Sequence, residues 1–211
     1  FDKAGESVMS MNFINNSTGW VSCKNFILRT YNGGSDWDTL YTGFGSGGAI
    51  AFSSDGHGCM VDGRRMLRTE NGGSIWQLIT NGDTQTYTAN FKDLCFVNSE
   101  TGFVMNSDAG CILKTTDGGA HWNSQNTIPG ADYSAIHFIN GTTGIAVGKH
   151  GLIVRTTDGG LTWNIMPSNT TKDIYDLSFG NVSTGYASGD GILLKTTDAG
   201  VTWINCFADP Y

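Results

Sequence analysis

The chain has 211 residues, with 12 Lys and Arg against 19 Asp and Glu and a formal net charge of −7. An acidic balance argues against nucleic acid as a partner, because phosphate binding needs a basic field. No apolar run approaches the roughly 18 residues of a spanning helix, so no membrane insertion is expected, and 30 glycines against 3 prolines predict many tight turns.

The first strand signals are "MNFIN" (11–15), "STGWVS" (17–22) and "FILRT" (26–30), which run into the box "TYNGGSDW" ending at Trp37. The series then restarts as "IAFSS", "GHGCMV" and "RMLRT", with the box "TENGGSIW" ending at Trp76. A third pass gives "LCFVN", "ETGFVMN", "CILKT" and "TTDGGAHW" at Trp122; a fourth gives "IHFIN", "TTGIAVG", "LIVRT" and "TTDGGLTW" at Trp163. The fifth is "LSFGN", "STGYASG", "ILLKT" and "TTDAGVTW" at Trp203. Each pass offers four short strands separated by turn signals, and none has a 3.6-residue period over ten residues, so no helix is expected. Four antiparallel strands in about 40 residues, repeated, is the signature of a β-propeller blade. The predicted fold is therefore all-β: one domain, 1–211, of five four-stranded blades over 7–41, 48–80, 92–127, 133–167 and 174–207. Trp163 precedes Phe179 by 16 residues, and 16 back from Phe13 falls just before Phe1, which puts the ends in register for a closed five-blade ring. Five blades of a larger ring are the alternative.

The box falls between the third and fourth strands, as a hairpin turn. Its glycines suit φ > 0. Its Asp accepts backbone N–H groups as in Asx turns, and its Trp supplies an apolar plate to the fourth strand. Asn32 and Asn71 stand where the other boxes have Asp117, Asp158 and Asp198. A turn cap tolerates that exchange; a nucleophile or metal ligand does not. These five residues and Trp37, Trp76, Trp122, Trp163 and Trp203 are accordingly read as structural. Ala199 in place of the first glycine implies that this position does not require φ > 0.

The boxes resemble the Asp-box, or bacterial neuraminidase repeat, and the longer unit is most similar to the photosystem II stability/assembly factor-like propellers, best at 133–163. The resemblance implies a propeller, and a family that includes glycosidases, receptors and non-enzymatic assembly factors. The architecture places ligand sites on the face made by the loops between strands two and three and between blades, opposite the boxes. There the chain varies most: Lys24, Arg64 and Arg65, Tyr87, Asp108, Lys149 and His150, and Asp190 are the candidate binding residues. Tyr41, Phe44 and Tyr133 are further aromatic candidates. A second set, Arg29, Arg68, Lys114, Arg155 and Lys195, stands one residue before each box. It either hydrogen-bonds around the neighbouring turn or forms a basic rim for an acidic partner.

No catalytic, metal-binding or cofactor motif is found. Gly43, Gly45 and Gly48 match G-x-G-x-x-G but precede a strand, so no helix N-terminus is offered to a phosphate. The histidines His57, His121, His137 and His150 lack ligand spacing. Glu6, Glu70 and Glu100 lie away from the loop face, which argues against a sialidase. Asp62, Asp108, Asp132 and Asp190 could supply an inverting glycosidase pair, but no pattern selects one. The five cysteines are read as small buried hydrophobes, with one disulfide as the alternative. The expectation is a non-catalytic protein-binding scaffold or assembly factor; a glycan-binding or glycan-cleaving propeller, or a structural repeat module of a longer secreted protein, are the alternatives. The start at Phe1 and the Asn-, Ser-, Thr- and Gly-rich composition suggest an extracytoplasmic chain whose signal has been removed.

Overall fold

In the computed structural model, residues 7–42, 48–63, 65–79, 90–107, 109–125 and 127–207 are described. Arg64, Tyr87 and Asp108, the loops 43–47 and 80–89, and the side chain of Tyr41 lie outside them. The chain forms five four-stranded antiparallel sheets, as expected for propeller blades. Blade 1 is β1 (Val8–Phe13), β2 (Gly19–Cys23), β3 (Phe26–Thr30) and β4 (Asp38–Thr42). Blade 2 is β5 (Ile50–Phe52), β6 (Gly58–Asp62), β7 (Arg65–Thr69) and β8 (Gln77–Leu78). Blade 3 is β9 (Phe91–Phe96), β10 (Gly102–Asn106), β11 (Cys111–Thr115) and β12 (Asn123–Ser124). Blade 4 is β13 (Tyr133–Phe138), β14 (Gly144–Gly148), β15 (Ile153–Thr156) and β16 (Asn164–Ile165). Blade 5 is β17 (Ile174–Phe179), β18 (Gly185–Gly189), β19 (Ile192–Thr196) and β20 (Ile204–Asn205). The described residues contain no α-helix, only a 3₁₀ turn at Lys149–Gly151.

The chain divides into two compact units, Phe1–Gly102 with Thr115–Trp122, and Phe103–Lys114 with Asn123–Tyr211. In the first, Trp20, Ile27, Ile50, Phe52, Met60 and Leu67 from blades 1 and 2 form one apolar cluster. In the second, Ile145, Val147 and Ile153 of blade 4 pack with Ile174, Leu177 and Trp203 of blade 5. A two-sided sheet alternates its side chains, so each blade buries one set against each neighbour.

Each blade is pinned by three recurring devices. The turn between its first and second strands opens with an Asn in four of the blades. The Oδ1 of Asn15, Asn98, Asn140 and Asn181 accepts two backbone N–H groups at 2.7–2.9 Å. The glycine that starts the second strand lies under the phenylalanine that ends the first. A Cβ on Gly19, Gly58, Gly144 or Gly185 would sit 2.5–2.7 Å from the ring of Phe13, Phe52, Phe138 or Phe179. That phenylalanine meets the box tryptophan edge to face, at 5.9–6.2 Å between centroids for the Phe13–Trp37, Phe52–Trp76, Phe138–Trp163 and Phe179–Trp203 pairs.

None of the five cysteines is in a disulfide. Burial raises the thiol pKa of Cys59, consistent with a buried, inert side chain.

Candidate functional site

The boxes account for themselves within the turn. In each, a buried threonine hydroxyl donates to the carboxylate or amide oxygen two residues on. These are Thr30 to Asn32, Thr69 to Asn71, Thr115 to Asp117, Thr156 to Asp158 and Thr196 to Asp198, at 2.7–3.0 Å. The same hydroxyl accepts the N–H of the second glycine at 2.9–3.0 Å. The Oδ1 of the Asn or Asp accepts the N–H four residues ahead, at 2.9 Å in all five boxes. Asn and Asp thus do the same work.

The first box glycine of blades 1 to 4, and Ala199 in blade 5, donates its N–H to a carbonyl of the turn between the first two strands, at 2.8–3.0 Å. Box and turn therefore share one end of each blade. Ala199 corrects the sequence expectation. It has φ 59, so the left-handed conformation is kept and an alanine bears it.

Three boxes carry an ionised carboxylate. Hydrogen bonds from Thr162, side chain then backbone, lower the pKa of Asp158 from 3.8 to about 2. Those from Thr202 do the same for Asp198. Burial pushes Asp117 upward, but the bonds from His121 and Thr115 outweigh it and again leave it at about 2. A carboxylate whose folded pKa is depressed stabilises the fold above its unfolded pKa, and that contribution is lost as pH falls through the folded value. Urea midpoints are therefore expected to fall between pH 3.8 and about 2. The double variant Asp158→Asn/Asp198→Asn should lose little at pH 7, since two boxes are built with Asn, and should show a shallower acid limb. An unchanged limb would mean that these groups titrate normally.

The basic residues before the boxes reach forward. Arg29 donates to the carbonyl of Gly72 at 3.1 Å, Arg68 to Gly118 at 2.6 Å, Lys114 to Gly159 at 2.7 Å and Arg155 to Ala199 at 2.8 Å. Each ties its blade to the box of the next. Arg68 also pairs with Glu70 at 2.6 Å. Lys195, the last of the set, lies over the ring of Tyr186, 5.7 Å from its centroid.

At the other end of the blades, the turns between second and third strands hold the remaining candidates. Lys24 is exposed in the turn after β2. Arg65, exposed, pairs with the buried carboxylate of Asp62. Blades 4 and 5 bring the most together. Lys149 pairs with Asp132 at 2.5 Å, and that carboxylate raises the lysine's pKa. His150, fully in solvent at φ 56, donates its backbone N–H to the Asp173 carboxylate at 2.9 Å. Asp190 donates its N–H to the Asp173 carbonyl at 2.9 Å. The result is a polar strip with an imidazole and a carboxylate facing solvent. Asp173 was missed at the sequence level: it sits between blades, and only the left-handed turn at His150 gives it a role. Tyr133, offered as an exposed aromatic, is instead buried in β13, and its hydroxyl accepts the N–H of Ile128 at 3.3 Å.

Among the described residues no group of three His, Cys, Asp or Glu side chains could hold a metal, and no helix is long and apolar enough to cross a membrane. Glu70 and Glu100 lie at the box end of their blades, Glu100 giving its carbonyl to Gly118 at 2.8 Å.

The comparisons with known proteins agree with the repeat. The family model described as photosynthesis system II assembly factor YCF48 matches residues 81–171, so the resemblance read from the boxes holds. Among solved structures, YCF48 bound to D1 peptide is 16% identical with a TM-score of 0.65, and the match covers 98% of this chain and 87% of that one. YCF48 from Cyanidioschyzon merolae is 17% identical over 97% of this chain and 86% of that one, with a TM-score of 0.53. The GH74 enzyme of Niastella koreensis is 18% identical with a TM-score of 0.71, over 92% of this chain but 30% of the enzyme. At these identities the likeness is one of fold. No curated protein matches the chain in sequence.

Proposed function

We propose that this chain is a non-catalytic, protein-binding propeller of the assembly-factor type. It takes a peptide segment of its partner on the turns between second and third strands, and it works outside the cytoplasm. The observation that carries this reading is the contrast between the two ends of the blades. At the box end the polar groups are consumed by the turns and by the ties to the next blade. At the other end Lys24, Arg65, Lys149, His150 and Asp190 change identity from blade to blade. His150 holds a left-handed backbone that a glycine would adopt at lower cost. A non-glycine residue kept there points to a use for its side chain. The fold likeness to a YCF48 structure with a D1 peptide bound supports a peptide as the ligand class.

The test is selection of peptides from a displayed random library on the folded protein. Binding of the selected peptides is expected to drop about tenfold or more in Lys149→Glu/His150→Ala, as loss of a charged hot spot does. It should be unchanged in Glu100→Gln at the box end. Equal binding by all three proteins would remove the site from this face. Turnover of any chromogenic glycoside would move the chain to the glycosidase alternative.

A further inference from the structure

The contacts between successive blades follow one pattern. The second residue of a blade's second strand packs on the next blade. Trp20 stacks on Phe52 with centroids 3.7 Å apart, and Phe103 stacks on Phe138 at 4.0 Å. The basic residue of the third strand donates to the next box, as Lys114 does to Gly159. Side chains of the first strand cap the backbone of the next blade's first strand: Ser10 accepts from Ile50 N–H at 3.3 Å and Asn12 from Phe52 N–H at 3.0 Å. Every blade thus has an outgoing face that gives these groups and an incoming face that receives them.

The last outgoing face and the first incoming face carry the same groups without that cover. Tyr186 occupies the position of Trp20 and Phe103 and is 43% exposed, against 2% or less for Trp20, Cys59, Phe103 and Ile145. Lys195 occupies the position of Lys114, and Asp176 and Ser178, both exposed, those of Ser10 and Asn12. On blade 1, Phe13 stands where Phe52 and Phe138 receive their stacking partners, and it is 39% exposed. Val8 and Met11 are 63% and 62% exposed, whereas their counterparts Phe91, Tyr133 and Ile174, and Ile50, Leu94, Ile136 and Leu177, are 0–7% exposed. The two faces are the two halves of an interface that the chain already builds between its own blades.

We propose that these faces bind each other between two copies of the chain, head to tail. Tyr186 of one copy stacks on Phe13 of the other. Lys195 donates to the carbonyl of the first box glycine, Gly33, and Val8 and Met11 are buried. Such an interface is heterologous, so it closes into a ring or continues as a chain according to its rotation.

The test is mass by light scattering and sedimentation over a concentration series. The wild-type protein is expected to grow in mass with concentration. Self-association should weaken about tenfold or more in Tyr186→Asp/Lys195→Glu and in Met11→Asp, because each spoils one face with a misplaced charge. The decisive sample mixes the two variants. Each keeps the face the other has lost, so the mixture should form a one-to-one dimer that neither forms alone. A second measurement needs no variant: peroxide oxidation of Met11 in the wild-type protein should slow as concentration rises. A wild-type protein that stays monomeric, or variants that still associate, or a mixture that does not dimerise, overturns the proposal.

Discussion

Gly160→Ala is expected to destabilise the protein by about 3 kcal/mol or more, and Gly159→Ala, one residue earlier in the same box, by about 1 kcal/mol. Both residues have left-handed backbones, at φ 71 for Gly159 and 84 for Gly160. That conformation alone costs an L-residue about 1–2 kcal/mol, so it cannot separate them. The surroundings do. A Cβ on Gly159 would meet only the carbonyl oxygen of Gly141 at 3.3 Å. On Gly160 it would lie 2.6 Å from Cε1 of the buried Phe103 ring, which has no room to move away because it is stacked on Phe138. Box 5 already contains the milder change, since Ala199 holds the first position at φ 59. The second position is glycine in every box, and at Gly119 and Gly200 a Cβ would stand 2.5 Å from Cys59 and 2.9 Å from Ile145. Urea unfolding of the two variants checks the order; equal losses would mean that backbone conformation, not contact with the preceding blade, selects the second glycine.

Thr156→Val should cost about 2–3 kcal/mol although it keeps the shape of the side chain. The hydroxyl is fully buried, gives its proton to the Asp158 carboxylate at 2.7 Å and takes that of Gly160 at 3.0 Å. Valine removes a bond to a charged group and leaves a buried N–H with nothing to donate to. Thr156→Ser keeps both bonds and should recover most of the loss. If valine and serine are equally damaging, the methyl packing rather than the hydroxyl matters. Thermal melts of both variants at neutral pH decide it.

The blades were legible because the boxes are local. Every bond inside them spans two to four residues, so a fixed string of residue types was enough to place the hairpins, the boundaries and the repeat. The forward ties span 43–50 residues. They could be anticipated only as a basic residue at a constant offset, with the turn it would reach left open. Two devices were present but unread. The Asn at the start of the first turn recurs in four units, and the Phe and Gly that press together recur in five, yet neither forms a motif without knowledge of which strands adjoin. The loop end was the least legible. His150 has φ 56 where nothing in "GKHG" demands it, and Asp173 acquires its role from a neighbouring blade. Ala199 shows the reverse hazard, a substitution that looked like relief from a strained backbone and is strain retained.

Because every forward tie runs from a third strand to a box made later, the blades acquire their partners in the order in which the ribosome delivers them. When Arg29 has emerged, the carbonyl it will hold, that of Gly72, is still 43 residues from being made. Lys114 waits 45 residues for Gly159 in the same way. Each nascent blade is therefore finished one period late, by its successor, and the growing edge always presents an uncovered face until synthesis supplies the next turn.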